Sequence, residues 1–232
     1  MSAPPTDFFT DELARKYDER NSRLAPISEG LHFLSRLILE DYPARSKVLS
    51  VGVGTGADIL ALAQTFPGWS FVAVEPSLSM LNVCRERMES VGLLDRCEFI
   101  HGLADDLPSE PEFDVATALF VGHFVKREVR SSFYAHIMDR LRVGGCFINA
   151  EISVDLNSEN FPNMVRNWQS IQRLMGGTDE SLKAVPRQLR EVLSVLAPAE
   201  VEAFIANAGG GPPVRFFQAF MITAWYAIKQ RA

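Results

Sequence analysis

The sequence has little of what would place it outside the cell, in a membrane or on a nucleic acid. It has only three cysteines, Cys84, Cys97 and Cys146. Their odd number, wide spacing and apolar neighbours argue against a disulfide framework or a zinc site and for reduced core thiols. It has no excess of positive charge: 23 Lys and Arg against 29 Asp and Glu give a formal charge of −6, so no basic face is expected for gripping a polyanion. It has no apolar run long enough to span a bilayer, since the longest, Phe216 to Ile228, is interrupted by Gln218 and Thr223. The opening MSAPPTDFFTDE shows no basic stretch followed by an apolar one, so no signal peptide is read there. Internal repeats, low-complexity tracts and linkers are also missing. What remains is ordinary globular usage, 47% apolar and 22% charged over 232 residues. That predicts one core in a soluble, cytoplasmic protein with neither nucleic acid nor membrane as partner.

Along the chain, Phe8 to Asp18 and Ser28 to Glu40 read as helices, the second with Ser28 as N-cap and Leu31, Leu34, Leu37 and Ile38 on one face. Strands are expected at Lys47–Val51, Ser70–Val74, Cys97–His101, Asp114–Phe120 and Cys146–Ile152. Helices are expected between them at Ala57–Thr65, Ser79–Ser90 and Arg127–Leu141, the last stopped by Gly144-Gly145. This alternation predicts a Rossmann-like α/β fold, with a mostly parallel sheet covered on both faces. After Glu151 the alternation lapses into helical stretches, Pro162–Met175 and Glu180–Leu196, the second with Pro186 inside and a kink or a break expected near Val185. A short helix, Pro198–Asn207, and two strands, Val214–Phe220 and Met221–Ile228, complete a seven-stranded sheet. The expected organisation is a single domain: an N-terminal helical cap or lid (1–44), a core (45–152), a helical insertion (153–208) and closing strands (209–232).

Chemistry is carried first by Val51-Gly52-Val53-Gly54-Thr55-Gly56, which follows the first strand and opens a helix. The first glycine permits a tight turn, and the next lets the backbone approach a ligand closely. Roughly twenty residues on, Glu75 ends the second strand, where a carboxylate can accept hydrogen bonds from both hydroxyls of an adenosine ribose. Gly52, Gly54 and Ala57 also satisfy the dinucleotide pattern, so the loop alone leaves NAD or FAD open.

Further motifs decide. VLSVGVGTG, FVAVEPSLSML, HGLADDLP, FDVATALFVGHFV and LRVGGCFINAEI together resemble the successive motifs of class I S-adenosylmethionine-dependent methyltransferases over nearly the whole chain, whereas a dehydrogenase accounts for the first two. The resemblance implies S-adenosylmethionine as cofactor and S-adenosylhomocysteine as product. It implies backbone contacts from Gly52, Val53 and Gly54, a carboxylate contact from Glu75, and packing of Pro76 and Met80 against the adenosine. Leu103 and Ala104 are expected beside the adenine, and Leu119 near the methionine portion. Within the class there is a partial likeness to carboxy-S-adenosylmethionine synthases, which share the N-terminal helices and the insertion. Their motifs place an aspartate at Leu103, an asparagine at Leu119, a tyrosine at Ser28 and a carboxylate-clamping arginine at Pro186, beside Arg187. These departures turn the expectation away from carboxylated-cofactor chemistry.

Methyl transfer from a sulfonium is an in-line displacement, for which positioning is worth roughly 7–11 kcal/mol. A base matters only when the acceptor must lose a proton. His123, just past the fourth strand, is the candidate base, weighed against a histidine that only hydrogen-bonds backbone. Tyr17 on the first helix is a candidate contact to the amino-acid portion, or else a packing tyrosine. His101 is read as structural, His32 and His136 as surface or packing, and Asp105-Asp106 as a solvated turn. No metal site is expected. Met164, Trp168, Ile171 and Met175 form a stripe that either walls an acceptor pocket or is plain core. The expected activity is methyl transfer to a small-molecule acceptor by a monomer or homodimer. The alternatives are a carboxylated-cofactor synthase, an NAD-dependent oxidoreductase and a non-catalytic cofactor-binding protein.

Overall fold

Strands β1 (Lys47–Val51) and β2 (Ser70–Glu75) are short apolar runs buried on both faces, as parallel strands beneath helices must be. The computed structural model describes residues 10–110 and 112–231. In it these strands join β3 (Cys97–His101), β4 (Phe113–Leu119), β5 (Leu141–Ile152), β6 (Val214–Ala219) and β7 (Ile222–Ile228) in one sheet of order β3-β2-β1-β4-β5-β7-β6. Strands β1 to β5 are parallel, and β7 runs antiparallel to both β5 and β6. The seven-stranded, mostly parallel sheet is thus present as expected. Its strand order reverses between β1 and β4, which opens a crevice at their carboxyl ends.

Helices α1 (Asp11–Asn21), α2 (Ala25–Ile38), α3 (Ala57–Thr65), α4 (Leu78–Ser90), α5 (Arg130–Asp139), α6 (Phe161–Leu174), α7 (Asp179–Arg187) and α8 (Pro198–Asn207) surround the sheet. Side-chain alternation along the strands feeds two cores. Leu49, Val51 and Ala118 pack with Tyr134 and Ile137 of α5 and Val201 and Ile205 of α8. Val48, Ala73 and Val115 pack with Ile59 and Leu62 of α3 and Leu81 and Met88 of α4. A third cluster belongs to the insertion: Phe161, Val165, Trp168 and Ile171, one face of α6, close on Val185, Leu189 and the β7 residue Ile222. Each such side chain contributes about 1.5–3 kcal/mol of burial.

Boundaries differ from the sequence reading where local chemistry intervenes. The expected start at Phe8 lies outside the described residues. Within them α1 begins at Asp11, where Thr10 Oγ1 accepts from the Leu13 amide at 3.4 Å. Helix α2 begins at Ala25 rather than at Ser28, because Pro26 suits a first turn; Ser28 lies inside the helix and donates to the Ala25 carbonyl at 3.2 Å. The helix expected over Arg127–Leu141 is a 3-10 turn (Arg127–Val129) followed by α5. Leu141 already pairs with Phe113, and Gly144, at φ +85°, bends β5 instead of ending a helix. In the insertion, α7 passes through Pro186 and then widens into a π turn (Gln188–Val192), closed by the Leu193 amide on the Gln188 carbonyl at 2.9 Å. The Leu182 carbonyl, to which Pro186 has no N–H to donate, accepts instead from Gln169 Nε2 at 2.8 Å, so α7 runs on to Arg187 without a break at Val185.

Candidate active site

At the end of β1 the chain turns through Gly52 at φ +62° and Gly54 at φ +55°. A Cβ on Gly52 would stand 2.5 Å from Val121 Cγ2, so conformation and space both demand glycine there. Around Gly54 the nearest atom to such a Cβ is Met80 Cε at 3.8 Å, which leaves that stretch of backbone approachable. The Gly52 and Val53 amides both donate to the Val74 carbonyl, at 2.8 and 3.2 Å, and so hold the loop against the end of β2.

Glu75, the last residue of β2, is 7% exposed. Its Oε2 accepts from the Gly54 amide at 2.9 Å and its Oε1 from the Ser77 amide at 3.0 Å. Burial pushes its pKa above the usual carboxylate range, against the opposing pull of these two amides and of His101. Ser77 caps α4 and seats Met80, which is buried under the loop. Pro76 is half-buried, and its carbonyl meets His101 Nε2 at 3.0 Å, with His101 itself exposed. Beyond β3, half-buried Leu103 and buried Ala104 open a 3-10 turn (Ala104–Asp106), fixed by the Leu103 amide donating to Asp106 Oδ2 at 2.8 Å. Asp105 pairs with His136 Nδ1 at 2.6 Å, so each member of the acidic pair has a structural partner. Half-buried Leu119 ends β4 and borders a small cavity with His32, Asp58 and Thr117. Gly52, Val53, Gly54, Glu75, Pro76, Met80, Leu103, Ala104 and Leu119 therefore gather along the carboxyl edge of β1 to β4. A buried acid anchored by two amides beside a loop without side-chain bulk suits a ribose diol.

Tyr17, partly buried on α1, lies within electrostatic reach of Glu75; burial first, then the Asp18 carboxylate, raises its pKa, and Glu75 adds to the shift. Past β4, Phe120 takes φ +63°, a conformation few non-glycine residues adopt. His123 follows, only 3% exposed. The Ile152 amide donates to its Nδ1 at 3.3 Å, and its own carbonyl accepts from the Ser194 amide at 2.8 Å. Burial, helped by Arg130, lowers its pKa to about 3. The ring is therefore neutral at pH 7, with its unprotonated nitrogen already engaged.

Sequence reasoning missed the network beneath this loop. Arg130 and Glu151 are both fully buried and meet at 2.6 Å. Arg130 also donates to the Val125 carbonyl at 3.2 Å and to the Ser194 carbonyl at 2.7 Å, while Tyr134 and Asn149 donate to Glu151 at 2.6 and 3.1 Å. A Cβ on Gly122 would come within 2.6 Å of Glu151 Oε2. That glycine was the available signal, since the charges are far apart in sequence. In the insertion, Trp168 and Ile171 are core residues, Met164 and Met175 are half-buried, and Arg187 is exposed in the last turn of α7.

Known proteins similar to this chain include methyltransferases and a carboxy-S-adenosyl-L-methionine synthase. Residues 48–145 match the family described as Methyltransferase domain. The carboxy-S-adenosyl-L-methionine synthase of Campylobacter hominis is 21% identical over 87% of this chain and 85% of its own length. A candidate O-methyltransferase from Nostoc punctiforme PCC 73102 superposes with a TM-score of 0.66 at 17% identity, covering 94% of this chain; this chain spans 60% of that one. Geranyl diphosphate C-methyltransferase from Streptomyces coelicolor A3(2), determined with Mg2+, geranyl diphosphate and S-adenosyl-L-homocysteine, superposes at 0.65 with 10% identity over 92% of this chain and 84% of its own.

Proposed function

We propose that this chain, which carries a methyltransferase domain over residues 48–145, transfers a methyl group from S-adenosylmethionine to a small-molecule acceptor. The observation that carries the reading is Glu75: a buried carboxylate at the end of β2, fixed by the amides of Gly54 and Ser77, at the carboxyl edge of the sheet one strand from its reversal point. In this reading Glu75 holds the ribose hydroxyls, Gly52, Val53 and Gly54 approach through backbone, and Pro76, Met80, Leu103 and Ala104 enclose the nucleoside. Leu119 borders the methionine portion and Tyr17 covers the site from α1. S-adenosylmethionine supplies an electrophilic methyl group on a positively charged sulfur. The chain's own task is to align the acceptor with it and keep water out.

His123 enters this reading as an anchor of the loop after β4. Its free nitrogen is engaged by Ile152, and its lowered pKa makes it a weak base. An acceptor that must lose a proton would then arrive deprotonated or lose it to water. The division of labour follows: residues 45–152 bind the cofactor, the described residues 10–44 cap it and 153–208 shape the acceptor side. The insertion's apolar face and the acidic balance of the chain favour a small molecule over a nucleic acid. Carboxylated-cofactor chemistry needs a cation to clamp a carboxylate, and Arg187, in water on α7, offers only a weak exposed pair.

Titration calorimetry tests the reading. The protein should bind S-adenosylhomocysteine and ignore NAD. Glu75→Ala should weaken binding about tenfold or more with the fold intact, since hydrogen bonds to a charged group contribute about 1.5–3 kcal/mol each. Equal affinity in the variant would remove Glu75 from the site.

A further inference from the structure

Asp18 has no role in the site as described, yet it ties three elements together. Its Oδ1 accepts from Thr55 Oγ1 at 2.7 Å, and its Oδ2 is paired with Arg87 of α4. Thr55 stands inside the glycine loop, between Gly54 and Gly56, and is 3% exposed. One carboxylate on α1 therefore grips both the loop and the helix that Ser77 caps. Little of the apolar surface of α1 is fully buried. Among its described residues Ala14 alone is buried, while Leu13 is 47% exposed and Lys16 pairs only with exposed Glu12. With so little apolar burial, polar contacts decide whether this helix lies closed. Glu75 is almost wholly covered, and Tyr17 of α1 lies partly buried within electrostatic reach of it. A ligand whose hydroxyls reach Glu75 would therefore lie close to α1.

We propose that Asp18 is a positioning residue for the cofactor: its bonds to Thr55 and Arg87 form a single latch that holds α1 closed over the ribose site and sets how fast the nucleoside leaves. The inference rests on the reading of Gly52, Gly54 and Glu75 as the S-adenosylmethionine site. Release of the ligand then requires the Asp18 bonds to break first, so weakening them speeds exit more than it alters the unliganded fold. Partly exposed ion pairs contribute little to global stability, whereas a latch acts directly on the rate of opening.

The test is release of radiolabelled S-adenosylmethionine, chased with S-adenosylhomocysteine, from wild type, Asp18→Ala, Arg87→Ala and the double variant, with Lys16→Ala as control. Both single variants should release ligand about tenfold faster, the double variant no faster than either, and Lys16→Ala at the wild-type rate. Asp18→Asn, which keeps an acceptor for Thr55 but loses the charge, should fall between. Urea midpoints of the ligand-free proteins should stay together, which a merely structural role would not produce. Should Asp18→Ala fail to fold, Arg87→Ala carries the test. Release within twofold of wild type in the single variants, multiplied effects in the double, or equal acceleration by Lys16→Ala would each overturn the latch while leaving the cofactor reading in place. A wild type that retains no ligand overturns both.

Discussion

Acid should destabilise this protein through His123, by an amount set almost entirely by the unfolded chain. In the fold the imidazole is buried, accepts the Ile152 amide and titrates at about 3. In the unfolded chain it titrates at about 6.5. The folded pKa is the lower one, so the unfolded state takes up the proton first. The contribution of neutral His123 is intact above about pH 6.5 and is lost as pH falls from there toward 3. At pH 5 an unfolded histidine is protonated about thirtyfold over its neutral form, while the folded one is still neutral. RT times the logarithm of that ratio is about 2 kcal/mol. Any folded pKa below about 4 gives nearly the same figure at that pH, so the prediction does not hang on the depth of the shift. In urea, at a slope of about 2–3 kcal/mol per molar, the midpoint should fall by roughly 0.7–1 M between pH 7 and pH 5. The reference is His123→Asn, whose side-chain oxygen can accept the Ile152 amide and does not titrate. Wild type should lose about 2 kcal/mol more than this variant over the same interval, the shifts of His32 and Glu75 being common to both. Equal pH dependence would show that His123 is not held neutral, and would reopen its use as a base.

The network beside it makes two further predictions. Glu151→Leu leaves the Arg130 guanidinium buried without its carboxylate and should cost about 3–5 kcal/mol, whereas Arg130→Met with Glu151→Leu should recover most of that; urea unfolding of wild type, both single variants and the double decides, and a double variant as weak as the sum of its parts refutes the account. Gly122→Ala drives a methyl group against a carboxylate held by Arg130, Tyr134 and Asn149, so it should lower stability by about 1–3 kcal/mol. An unchanged thermal midpoint would mean that the carboxylate can move aside.

The parts of this molecule that could be read from its sequence are those where backbone conformation dictates residue type. Gly52 and Gly54 lie at positive φ where the chain turns off β1, and Glu75 ends β2, so both leave a mark at a fixed spacing. The strands were equally legible, because burial on both faces demands uninterrupted apolar runs. Gly144 misled for the same reason: a glycine at positive φ ends many helices, but here it bends a strand whose pairing with β4 begins at Leu141. Side chains that act at a distance leave no such mark. Asp18 meets Thr55 and Arg87 across 37 and 69 residues, and Arg130 meets Glu151 across 21, with no spacing that announces the partner and only Gly122 as an indirect sign of the second network.

The acceptor side is opaque for a further reason. Trp168 and Ile171 are selected for bulk and apolarity, which core and pocket wall require alike. Phe120 is different. It bridges the insertion's cluster and the smaller cluster around Leu31, Ala150 and Ala224, directly after Leu119, and it is held at φ +63° by packing on both sides and by its amide on the Ala150 carbonyl at 2.6 Å. Strain of that kind persists only where the surroundings over-determine it. The loop after β4 is thus fixed from above by Phe120, from below by Glu151 and Arg130, and at its centre by His123. A loop so constrained can present the acceptor in one orientation without a residue that takes part in the chemistry, and positioning is what an in-line displacement asks of it.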